Sequence, residues 1–176
     1  MEFQLADGLA ILERTPATLN AMLRNLPADV AKRKEDVDRF SVYDVVGHLN
    51  HGEETDWVPR ARIILEHGIS RPFDPFDRFA MYEKSEGKSL NQLLDEFELL
   101  RSKSIQAVRE MNITPAKLNL RGLHPELGAV TLGQLMATWV VHDLNHIGQI
   151  LRILSKQHTE TVGPWKAYLS ILNWTT

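Results

Sequence analysis

Apolar residues recur every three or four positions over four stretches of the chain, the period of a helix with one buried face. In the first stretch, about Leu5 to Leu26, that spacing is held by Leu9, Leu12, Leu19, Met22, Leu23 and Leu26. Thr15-Pro16 interrupts it. The threonine can cap and the proline suits a first turn, so a kink or restart is expected there. Pro27 ends the segment, and a charged connection over 28–39 follows. Ser41, with Asp44 behind it, resembles a capping box with a shortened acid and opens a second helix. That helix should run to about His67, bend at Pro59 and stop at Gly68. Ser89 and Gln92 form a second box before a third helix, which carries Leu90, Leu93, Leu94, Phe97, Leu100, Ile105 and Val108 to about Met111. Thr131 caps a fourth, from about Leu132 to Lys156, and Gly163-Pro164 leads into a short amphipathic helix over Trp165 to Leu172.

Four helices with little strand signal predict an all-α fold, a four-helix bundle with long connecting loops and a short C-terminal helix. The connections over 69–88 and 112–130 are long enough that a simple up-and-down order is not forced. The first holds Pro72, Pro75, Phe73, Phe76 and Phe79, a natural cover for one end of the bundle. A chain of 176 residues is expected to form one domain over 1–176. No internal repeat or low-complexity tract is visible.

Composition narrows the function classes. With 43% hydrophobic and 24% charged residues, the chain has the mix of a globular protein. Its formal charge of −3 and lack of a dense basic run argue against nucleic acid as a partner; Lys32-Arg33-Lys34 is answered at once by Glu35, Asp36 and Asp38. No apolar run is long enough to span a bilayer, so no membrane partner is expected. The opening Met1-Glu2-Phe3-Gln4 has no basic stretch leading into an apolar one, so no secretory signal is expected and the cytoplasm is the default location. The chain has no cysteine. Thiolate metal sites, disulfides and a cysteine nucleophile are thereby excluded, and any thiol chemistry needs a thiol from the substrate.

The informative segment is Val141-His142-Asp143-Leu144-Asn145-His146-Ile147. Two histidines four apart on a helix share a face, roughly 6 Å apart along the axis, and can converge on one metal ion. Leu135, Trp139, His142, His146 and Ile153 fall on one side, with Leu132, Met136, Asp143 and Ile150 beside them, while Asn145, Arg152 and Lys156 point away. A carboxylate on a core-facing arc is costly unless paired. The second helix shows the matching anomaly: His48 lies at the edge of its apolar arc, and Glu53 and Asp56 lie within it. Imidazoles from two helices with open positions between them describe a site for zinc, nickel or a similar ion. Hydrogen-bonded core histidines would give the same pattern without a metal.

The sequence resembles the DinB/YfiT-like superfamily of bacterial four-helix metalloproteins. The likeness rests on Phe40-Ser41-Val-Tyr-Asp-Val-Val-Gly47-His48-Leu49 opening the second helix and on His142-Asp143-Leu144-Asn145-His146-Ile147-Gly148-Gln149-Ile150 in the fourth, and it covers about Leu5 to Leu154. It implies one divalent metal ion, zinc or nickel first and iron or manganese otherwise, held by His48, His142 and His146. Many relatives carry an acid where this chain has His51, while Glu53 stands where many have a glutamate. His51, about 60° from His48 around the helix, is expected to be exposed or beside the ligands. No catalytic residue is assigned; Glu53 and Asp143 are the candidates, and Asp143 can orient a ligand imidazole. His67, His124 and His158 read as loop or helix-end residues.

Relatives include transferases using low-molecular-weight thiols such as bacillithiol or mycothiol, and proteins thought to be hydrolases. The resemblance therefore implies a metal-dependent thiol S-transferase or a related hydrolase acting on a small-molecule substrate. A non-catalytic metal-binding or stress-response module is the alternative, and a purely structural bundle is a third reading. Relatives often associate as homodimers.

Overall fold

The computed structural model describes residues 3–174. Met1, Glu2, Thr175 and Thr176 lie outside the described residues, and with them half of the opening tetrapeptide read for a secretory signal. The first apolar stretch forms two helices, α1 (Leu5–Leu12) and α2 (Thr15–Leu23). Pro16 sits in the first turn of α2, where its missing N–H costs nothing. A short helix, α3 (Ala28–Lys32), occupies part of the charged connection.

The capping box at Ser41 forms. Its hydroxyl accepts from the Asp44 N–H (3.2 Å), and Asp44 accepts from the Ser41 N–H (2.9 Å), opening α4 (Val42–Thr55). The second helix then breaks at Asp56 and restarts as α5 (Trp57–His67) rather than bending smoothly at Pro59. A proline ring collides with the carbonyl four residues before it, here that of Thr55, so the helix must yield ahead of the proline. Gly68, at φ 57, ends α5. A small helix, α6 (Ala80–Ser85), lies in the next connection. The boxes Ser89–Gln92 and Thr131–Gln134 open α7 (Leu90–Glu110) and α8 (Leu132–Lys156).

Two sequence expectations are corrected. The connection over 112–130 contains an antiparallel hairpin, β1 (Arg121–His124) and β2 (Gly128–Thr131), with Arg121 opposite Thr131 and His124 opposite Gly128. Strands of four residues are too short to show a clear alternation. The tail forms two 3₁₀ segments, Gly163–Tyr168 and Ser170–Asn173, in place of an α-helix, since a short isolated segment cannot offset the cost of nucleating one.

The α1–α2, α4–α5, α7 and α8 segments pack as a four-helix bundle, with α4 against α7 and α8, α2 against α7, and α1 against α8. Its core comprises two apolar clusters. One joins Leu12, Trp57, Ile64, Ile105 and Met136; the other joins Leu19, Leu49, Phe97 and Ile150. Along each helix the changeover falls at one level, and there sit Glu53, Arg101 and Asp143, all buried. The two long connections are tied together where the Phe73 N–H donates to the Leu123 carbonyl (2.9 Å). Among the described residues, no helix is long and apolar enough to cross a membrane.

Candidate metal centre

His48 projects from α4, and His142 and His146 from successive turns of α8. The Nε2 of His142 lies 3.1 Å from the Nε2 of His48 and 3.1 Å from that of His146, and one donor atom from each residue falls within 4.8 Å of the others. The local helical repeat sets the α8 pair; the packing of α4 on α8 supplies the third ring. Imidazole nitrogens about 2.0–2.1 Å from one tetrahedral zinc stand a little over 3 Å apart, so this donor set fits a single divalent ion.

The rings are neutral at ordinary pH. Burial first, then proximity to each other, pushes His142 down to about 2 and His48 down to about 3; burial also lowers His146, against its bond to Gln149. Nδ1 of His146 pairs with Gln149 Oε1 at 2.7 Å, and because an amide oxygen only accepts, the ring proton resides on Nδ1 and the Nε2 lone pair is free. The Nδ1 atoms of His48 and His142 are buried without a hydrogen-bond partner. Three uncharged donors aimed at one point repel weakly when alone and suit a cation between them.

His51 stands outside this cluster. It is buried rather than exposed, 5.0 Å from the Phe76 ring, and Phe76 also packs edge-on to His48 at 5.6 Å. The Phe-rich connection thus covers the centre through Phe76, while Phe73 is buried and Phe79 exposed. His67 ends α5 and His158 lies in a turn, whereas His124 belongs to strand β1 and faces a cavity beside the histidines.

Glu53 and Asp143 lie behind the triad. Arg101 donates from Nη1 to Asp143 Oδ2 (2.6 Å) and to the Leu12 carbonyl (2.9 Å), and from Nη2 to Asp143 Oδ1 (3.0 Å) and Glu53 Oε1 (2.7 Å). The Trp139 indole N–H donates to the same Glu53 oxygen (3.0 Å). One guanidinium therefore joins four helices and leaves a layer of net charge −1 beneath the histidines. Sequence reading did not single out Arg101, although it interrupts the Leu94, Phe97, Ile105, Val108 stripe. Arg152, expected to point away, is buried and pairs with Glu35 from the charged connection (2.5 Å).

Two cavities meet at the histidines. One, of about 610 Å³, is lined by all three histidines with Arg39, Arg78, Arg152 and Asp38, Arg152 being already matched by Glu35. The other, of about 590 Å³, shares His48, His142 and Arg78 and is walled by Trp57, Phe73 and Phe76, with Asp56 and Arg60 in its lining. Neither of these last two was identified as a site residue from sequence.

No curated protein matches the sequence. Among solved structures the chain is similar to YfiT from Bacillus subtilis, described as a probable metal-dependent hydrolase with an unusual four-helix bundle topology. The TM-score is 0.75 at 20% identity, covering 88% of this chain and 87% of that one, a likeness of fold. The sequence model of the DinB superfamily matches residues 11–150, a span that takes in His48, His142 and His146; the chain belongs to the DinB superfamily.

Proposed function

We propose that His48, His142 and His146 hold one divalent metal ion through their Nε2 atoms, and that this centre serves a reaction on a small-molecule substrate. The observation that carries the reading is the convergence of three neutral nitrogens, 3.1 Å apart across His142, at the junction of two cavities. Zinc or nickel suits an all-imidazole set, with iron or manganese next. A bound ion would supply Lewis acidity, acidifying water or a thiol and polarising a reacting oxygen.

Transfer of a low-molecular-weight thiol to an electrophile is the first reaction class. The arginine-bearing cavity, with Arg78 in its wall, suits a hydrophilic, anionic thiol, and the aromatic cavity suits the apolar electrophile it would meet at the triad. The chain lacks cysteine, so the thiol comes from solution. Hydrolysis is the second class, favoured by the description of YfiT. Arg101, Glu53 and Asp143 serve as positioning residues: their ion pairs fix α4 and α8, and so the three donors, at one spacing.

Elemental analysis of untagged protein beside His48→Ala tests the centre. One metal per chain, lost in the variant, is the expected result; no metal after reconstitution at neutral pH refutes it. Loaded protein assayed with bacillithiol or mycothiol and halogenated or epoxide electrophiles, against ester and amide hydrolysis without thiol, separates the two classes.

A further inference from the structure

The aromatic cavity contains an ion pair that the protein leaves incompletely satisfied. Asp56 sits at the break between α4 and α5, and Arg60 one turn into α5, with Arg60 Nη1 2.7 Å from Asp56 Oδ1. Both residues are nine-tenths buried, and both line the cavity that reaches His48 and His142. The geometry is that of a charge contact. Asp56 Oδ1 and Arg60 Nε have no hydrogen-bond partner, and apart from the contact between them neither side chain hydrogen-bonds to a described residue. The Arg60 guanidinium also lies over the Phe73 ring, 5.3 Å from its centroid, which holds it against the aromatic wall. Buried polar groups are satisfied as a rule, and an exception in a cavity wall calls for a ligand.

The chemistry of that ligand follows from the balance of the wall. The charged residues lining the cavity are Asp56 and Glu126 against Arg60 and Arg78, which cancel. A net charge taken into such a space would meet one attractive and one repulsive partner while losing its water. An uncharged group with both an N–H and a C=O loses little solvation and offers a donor to the carboxylate and an acceptor to the guanidinium. The surrounding Trp57, Phe73, Phe76 and Leu135 supply flat apolar walls for the rest of the molecule.

We propose that the cavity beside the triad takes a neutral, largely aromatic or apolar substrate bearing a carboxamide-like group, and that the Asp56–Arg60 pair recognises that group. This deepens the proposed function and rests on it only in treating the triad as the reacting end of the cavity. The pair acts in specificity, away from the reacting atoms.

The test uses three probes with one ring and different charge: benzamide, benzoate and benzylammonium. Binding is followed through the tryptophan indole resonances of metal-free protein, so that no probe can ligate an ion. Benzamide is expected to bind about three- to tenfold tighter than either charged probe. Asp56→Asn leaves Arg60 uncompensated and should move the preference toward benzoate; Arg60→Met should move it toward benzylammonium. Equal affinities, no saturable binding, or an order that a folded Asp56→Asn variant leaves unchanged would overturn the proposal. Metal content is measured separately, so a chain that binds no metal yet keeps the benzamide order would refute the metal centre and leave this recognition standing.

Discussion

Arg101 of α7 grips Asp143 of α8 with both ends of its guanidinium, Nη1 to Oδ2 at 2.6 Å and Nη2 to Oδ1 at 3.0 Å, and both side chains are almost wholly out of water. A fork matched to a carboxylate in this way is the strong form of the interaction. Asp143 is flanked in sequence by His142, so the pair fixes the turn of α8 that aims a donor nitrogen.

Arg101→Met should therefore be severely destabilising. It removes the one cation between two buried carboxylates, and breaking such a pair from one side costs about 3–5 kcal/mol. Urea unfolding measures the loss. Adding Glu53→Gln and Asp143→Asn to the same variant should recover part of it, because the stranded charges are then gone. An Arg101→Met protein as stable as the parent would contradict the bracing role.

His142→Ala should drastically lower metal occupancy, since it removes the ring whose Nε2 lies 3.1 Å from both of the others. His51→Ala should leave occupancy largely intact, because that ring packs on Phe76 away from the donor cluster. Metal-to-protein ratios after dialysis check both. Loss in His51→Ala equal to that in His48→Ala would mean the wrong histidine of α4 has been assigned.

Stability of the metal-free protein should fall as pH drops through 6.5. Unfolded histidine takes a proton near 6.5. Folded His48 and His142 resist until about 3 and about 2, so the unfolded chain binds more protons across that window. Their contribution is present above the unfolded value and is lost on acidification, at most about 1.4 kcal/mol per pH unit for each ring. Asp56 works the other way: burial raises it to about 6 despite Arg60, so its contribution grows as pH falls. One acid opposes two rings, and the rings prevail. Urea midpoints between pH 7.5 and 5.5 should decline, and replacing His48 and His142 with glutamine should flatten the profile.

Gly122→Ala should destabilise by about 1–3 kcal/mol through overpacking. A methyl there would stand 2.6 Å from Ile64 Cγ1 and 2.8 Å from two carbons of Phe73. The clash falls where β1 meets α5 and the cavity wall, so the loss should appear in urea unfolding with weaker benzamide binding. Unchanged stability would show that Phe73 is free to move aside.

Local signals in the chain were readable. Ser41–Asp44 and Ser89–Gln92 each act within one turn and form the predicted boxes, and Thr131 caps α8 as expected, with Gln134 completing a third box that was not anticipated. The His142–His146 spacing is equally local. What escaped depends on partners far along the chain: Arg101 meets Asp143 and Glu53, 42 and 48 residues away, and Arg152 meets Glu35 at 117. Helical phase alone placed Arg152 in water, because it could not anticipate an acid arriving from the charged connection. Asp56 was readable on the buried arc of the second helix, but its pairing with Arg60 was hidden for another reason. Its phase depends on a break in the helix, which Pro59 forces before itself rather than at itself.

The three donor histidines sit on α4 and α8, whereas much of the aromatic cavity's wall comes from the connections between helices, pinned to each other at Phe73 and Leu123. In the proposed function, chemistry and selectivity are thus carried by separable parts of the chain. Changes in the two connections can redraw what enters while the nitrogens keep their spacing. A bundle arranged this way lends itself to diversification: one proposed centre, offered to new molecules by rewriting its walls.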